Sequence, residues 1–205
     1  PAIMSPLDFS DVKICAQTGT TNRDNAIDFL TTNNVRHAIV EVGSPDDMIK
    51  AYQDGRCNVM TADTSQLHAL QIRLAKPGAS VILPDVISKE PLGPVVRQDD
   101  PQWFEIVKWT HFAMLGAEEL GVSTKTLPAA LASAKPDVRR LMGADGNYGE
   151  QIGLTKDWVG RIVRAVGNYG ESFERNVGTF SNLGIPRGLN QLWSRGGIQY
   201  APPIR

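Results

Sequence analysis

The chain has little excess charge of either sign, only two cysteines and no long apolar run. Its formal net charge is −1, from 21 Lys and Arg against 22 Asp and Glu, so no basic surplus points to nucleic acid or to an anionic membrane surface. No stretch approaches the roughly 20 consecutive apolar residues of a membrane-spanning helix. Cys15 and Cys57 are too few and too far apart for a CxxC redox pair or a cysteine-rich zinc site. The phosphate-cradling patterns GxxxxGK[ST] and GxGxxG are missing, and so is the GxSxG nucleophile turn. His37, His68 and His111 are scattered over different expected elements, none with a partner at metal-ligand spacing. No metal and no cofactor is expected, and the chain reads as a binding module rather than an enzyme. No targeting segment is visible, which leaves the compartment open at this point.

What remains is an ordinary globular composition, 41% hydrophobic and 21% charged over 205 residues. That length can bury a core without metals or many disulfides, in one domain or one domain with a second partial one. The first part alternates strand-like and helix-like segments. Strands are expected at residues 12–17, 35–42 and 57–62, with helices at 21–32, 45–54 and 65–75 between and after them. This order predicts an α/β architecture with a parallel sheet flanked by helices. Residues 80–83 and 92–97 read as further short strands. From Pro101 onward the pattern is mainly helical, with a long helix at 101–120 and shorter ones at 127–133, 136–142, 155–166 and 186–193. The Gly-rich run from Gly143 to Gly153 reads as a turn. Trp103, Trp109, Trp158 and Trp193 recur at helical spacing and read as core; Arg161, Arg164, Glu171, Glu174 and Arg175 read as a solvated helix face.

The segment with most chemical content is 12–22. A strand turning through Gln17-Thr18-Gly19-Thr20-Thr21-Asn22 into a helix leaves backbone N–H groups at the positive end of the helix dipole, where a carboxylate is well received. The same residues would also serve as a plain turn with a Thr cap. Asp63 closes a later strand and would suit a ligand ammonium at the strand's carboxyl end; it is equally a good N-cap for the helix that follows. A carboxylate receiver beside an acid suits an amino acid. Cys15 and Cys57 lie in the opening parts of two expected strands. If these strands are neighbours, the thiols could bridge, closing a 42-residue loop; two buried free thiols are the alternative.

Several longer motifs carry a resemblance. Cys15-Ala-Gln-Thr-Gly-Thr-Thr21, Asp54-Gly-Arg-Cys57-Asn-Val-Met-Thr-Ala-Asp63 and Ile87-Ser-Lys-Glu-Pro-Leu-Gly-Pro94 resemble the general L-amino-acid-binding proteins of polar amino-acid ABC transporters, a branch of the type II periplasmic solute-binding proteins. So do Phe173-Glu-Arg-Asn176, Arg187-Gly-Leu-Asn190 and Gly196-Gly-Ile-Gln-Tyr-Ala-Pro-Pro203. The resemblance implies residues 1–90 as the second, ligand-binding α/β lobe, and 91–205 as a crossing strand with helices that normally return to a first lobe. It implies a ligand site at Gln17, Gly19, Thr20, Thr21, Asn22 and Asp63, a Cys15–Cys57 disulfide and a periplasmic location. It also implies a polar L-amino acid as ligand and an ABC permease as partner, through which alone the chain would meet a membrane. Most of the first lobe, with the Arg that would pair with the ligand carboxylate, is not in this sequence. Self-association through helices left exposed is therefore expected, and a single-lobe interaction module that no longer binds amino acid is the alternative function.

Overall fold

The computed structural model describes residues 3–205. They divide into two compact units, one ending at Leu92 and the other spanning Gly93–Arg205.

The first unit is built on β1 (Val12–Gln17), α1 (Thr21–Thr32), β2 (His37–Val42), α2 (Pro45–Gln53), β3 (Val59–Met60) and α3 (Thr64–Gln71). The three strands form a parallel sheet in the order β2-β1-β3. β1 is central and buries Val12, Ile14, Cys15 and Ala16, as a strand covered on both faces must. Successive side chains point to opposite faces. Val12 and Ile14 accordingly pack with Leu30 and Val35, while Cys15 packs with Val42, Met48, Ala51, Cys57 and Leu70. The two sulfurs within that second cluster are joined in the Cys15–Cys57 disulfide. α2 follows directly from local sequence. Ser44 caps it by accepting a hydrogen bond from Asp47 N–H at 3.1 Å, Pro45 occupies its first turn, and Asp46 and Asp47 favour its positive end.

Two expected strands do not form. Residues 80–83 and 92–97 carry no strand. In the second, Pro94 has no N–H to give a ladder, and Val95, 95% exposed, has no neighbouring strand to pair with. The crossing strand read from the sequence is therefore irregular chain. β3 is likewise only two residues long, shorter than the expected 57–62.

The second unit is helical: α4 (Pro101–Glu119), α5 (Leu127–Leu131), α6 (Pro136–Leu141), α7 (Tyr148–Gln151), α8 (Trp158–Val166) and α9 (Tyr169–Asn176). Ala113 and Ala117 of α4 pack with Val122, Leu127, Val138, Leu141, Trp158, Val159 and Val163. Trp158 is buried and Trp109 packs at the core's edge, but Trp103 and Trp193 are about half exposed. The helix expected at 186–193 is replaced by two 3-10 turns, Gly188–Asn190 and Trp193–Arg195. α9 was legible only as a solvated face, although Asn168 and Glu171 form a capping box that opens it. Glu171 also accepts from Thr124 N–H at 3.1 Å, tying α9 to the α4–α5 connection. Burial pushes its carboxyl up, but hydrogen bonds from the Thr124 hydroxyl and from the N–H groups of Asn168 and Thr124 outweigh that and hold it below the usual glutamate range. Glu118 is buried, and the Arg187 guanidinium meets it with two bonds of 3.1 and 3.2 Å. Arg187 also donates to Asn190 O at 2.9 Å and lies over the rings of Tyr169 and Phe173.

Three outcomes follow for stability. Replacing both Cys15 and Cys57 with Ala removes a 42-residue loop constraint and lowers urea stability by about 4 kcal/mol; an unchanged midpoint would show that the bridge contributes nothing. Arg187→Met strands the Glu118 carboxylate and costs about 3–5 kcal/mol in the same assay. A depressed carboxyl pKa contributes stability above the ordinary glutamate value and loses it as pH falls through the lowered one. Glu171→Gln is therefore less stable than wild type at neutral pH, and the gap narrows as pH falls through the lowered value.

Candidate functional site

The mouth of the sheet is set by the carboxyl ends of β1 and β3. Beyond Gln17 the chain turns at once. Thr18 N–H donates to Val42 O at 3.0 Å, pinning the turn to the end of β2. Gly19 takes φ +75°, a left-handed conformation in which a side chain would be strained. Thr20 stands at the N-cap of α1 but makes no side-chain cap; its hydroxyl donates back to Gln17 O at 2.7 Å. The N–H groups in the first turn of α1, from Thr21 and Asn22 onward, therefore lack the side-chain acceptor that Ser44 gives α2. Gln17, Thr20 and Asn22 are half-buried, and Gly19 and Thr21 are exposed.

β3 runs beside β1. Asn58 N–H donates to Lys13 O at 2.9 Å and its side-chain oxygen accepts from Lys13 N–H at 2.9 Å. Ile14 then pairs with Val59 and Cys15 with Met60, and Thr61 N–H donates to Cys15 O at 3.1 Å. The disulfide ties the same place, with Cα atoms 5.6 Å apart. β3 thus leaves the sheet one strand spacing from β1, about 4.8 Å, at the same end. Asp63 comes two residues after that last ladder bond and occupies the N-cap position of α3. Its carboxylate makes no capping hydrogen bond and, among the described residues, no ion pair. It is half-buried. The two local alternatives open in the sequence, a Thr cap on α1 and an Asp cap on α3, are thus both unused by the side chains concerned.

Two further groups stand at this mouth. Asn25 Nδ2, one turn into α1, donates to Glu90 Oε1 at 3.0 Å, and Thr21 Oγ1 lies 3.5 Å from the same oxygen. Arg23 Nε donates to Glu41 at 2.7 Å. Sequence reasoning missed Glu90 and Asn25 because they are 65 positions apart, with no local pattern linking them. Among the described residues no group of three His, Cys, Asp or Glu side chains is placed to hold a metal ion. No helix there is long and apolar enough to cross a membrane. The second unit carries a groove of about 830 Å³ along residues 94–112, which includes none of the candidate ligand-site residues.

No family model matches the chain. Known proteins do. The general L-amino acid-binding periplasmic protein AapJ of Rhizobium johnstonii is 47% identical over 99% of this chain. The putative amino-acid ABC transporter-binding protein YhdW of Escherichia coli K12 is 46% identical. The glutamate/glutamine/aspartate/asparagine-binding protein BztA of Rhodobacter capsulatus is 41% identical. The chain spans about 60% of the length of each of these relatives. A solved ABC-transporter periplasmic binding protein from Brucella ovis, with glutathione bound, matches at a TM-score of 0.92 and 44% identity, over 99% of this chain and 64% of its own. The chain is therefore a homologue of the amino-acid-binding proteins of ABC transporters, with the fold of a periplasmic binding protein, over about three fifths of their length.

Proposed function

We propose that the first unit is the ligand-bearing lobe of a solute-binding protein for polar L-amino acids, which delivers its ligand to an ABC permease from the periplasm. The observation that carries this reading is the pairing of β3 with β1, which sets an uncapped helix start and an unpaired acid at one end of the sheet. The turn formed by Gln17, Gly19, Thr20, Thr21 and Asn22 receives the α-carboxylate. Asp63 receives the α-ammonium. The names of the relatives support the ligand class, an ABC transporter and the periplasm, and the Cys15–Cys57 bridge suits an oxidising compartment. Capture of this kind needs no catalytic step, so the role is binding rather than enzymatic. Exposed Trp103 and Phe104 on α4 support self-association of this chain, which light scattering reads directly.

Nuclear magnetic resonance titration with L-glutamine tests the site. The expected result is saturable shifts at the Gly19 and Thr21 amides with a dissociation constant of about 1 mM, the strength of roughly 4 kcal/mol. Asp63→Asn removes one charge-assisted partner, worth about 1.5–3 kcal/mol, and weakens binding at least about tenfold. Unchanged affinity in that variant would take Asp63 out of the site.

A further inference from the structure

We propose that Glu90 is a built-in competitor for the carboxylate-receiving turn, so that an incoming carboxylate binds only by displacing it. This rests on the ligand site proposed above. Beside the first two turns of α1 the chain holds a carboxylate of its own. Asn25 Nδ2 donates to Glu90 Oε1 at 3.0 Å and the Thr21 hydroxyl lies 3.5 Å from that oxygen. Thr21 is also the first residue of α1, whose opening N–H groups no side chain caps. Thr21 belongs to the turn proposed to receive the ligand, and the end of the helix dipole that it opens favours a second carboxylate as well. Two carboxylates beside one helix start repel each other, so one displaces the other.

Glu90 reaches this place from irregular chain. Residues 80–92 carry no strand or helix, and a turn in which Leu92 N–H donates to Glu90 O at 2.9 Å holds its backbone. Tyr52 and Gln71 fasten the upstream end, through the Ser80 hydroxyl and carbonyl at 2.9 and 2.7 Å. Glu90 is thus tethered near the turn without being packed in a core, an arrangement that lets it leave. Only the fraction of molecules with Glu90 withdrawn is competent, and apparent affinity falls by that fraction. Glu90 in this way sets affinity for the carboxylate end of the ligand, whatever its side chain.

Sodium acetate, a carboxylate without an ammonium, isolates this effect from the action of Asp63. Titration at constant ionic strength is followed at the Thr21 backbone amide and the Asn25 side-chain amide. Glu90→Ala is expected to bind acetate about fivefold more tightly than wild type. Glu90→Asp keeps the charge but draws it back by one methylene, and is expected to match Glu90→Ala. Tightening in Glu90→Ala alone would mean that Glu90 acts through its field and not by occupying the donors, which overturns the proposal. Equal affinity in all three chains, or no acetate binding in any, overturns it as well. If L-glutamine fails to bind while acetate still tightens in both variants, the amino-acid site falls and the competition stands. If L-glutamine binds and acetate is indifferent to Glu90, the reverse holds.

Discussion

The two-residue pairing of β3 with β1 is the contact on which the mouth of the sheet depends. β1 is held on its other side by β2 through six paired positions, so its end and the turn that follows are well fixed. β3 has two paired positions, two flanking bonds through Asn58, one through Thr61 and a disulfide. Everything beyond Thr61, including Asp63 and the start of α3, takes its place from that short ladder. Parallel strands deliver their carboxyl ends to one side, and the helices that follow begin there with their positive ends. A dipole-rich turn and an acid arrive together for that reason, without any special device.

The second unit is held by a different kind of contact. Its helices share a core of small and branched residues around α4 and α8, and their connections are fixed by polar groups reaching across sequence. Arg187 illustrates this. It satisfies a buried carboxylate on α4, holds its own turn through Asn190 O, and lies against two rings of α9. A buried pair of this kind specifies an arrangement more than it adds net stability, since both charges were taken out of water to make it. Glu171 does similar work at the start of α9, reaching both its own helix cap and Thr124.

The strand–helix alternation of the first unit was legible because each element carries local marks. Ser44-Pro45 opens α2, the β-branched Ile39, Val40 and Val42 mark β2, and Gly19 occupies a position that needs positive φ. The turn at 17–22 and Asp63 were legible as candidates for the same reason, since both lie at ends of recognisable strands. What was hidden depended on partners far away in sequence. Residues 92–97 have the composition of a strand but no neighbouring strand, and a ladder cannot be read from one side. Glu90 was hidden because its contacts lie on a helix 65 positions earlier. The 3-10 turns after Pro186 escaped because apolar spacing alone does not tell a helix from a turn anchored by one arginine.

The disulfide has a consequence for when the mouth exists at all. It fastens β1 to Cys57, two residues ahead of β3, while the rest of the sheet, β1 with β2, is secured by hydrogen bonds and packing alone. The ladder of β1 with β2 and the bond from Thr18 N–H to Val42 O do not involve the bridge. Where thiols are kept reduced, the strand leading to the acid is left with two ladder residues and a few flanking bonds. Reducing surroundings thus weaken the hold on β3 and on the start of α3 most directly, and oxidation of a single bond fixes the end of β3 in register with that of β1.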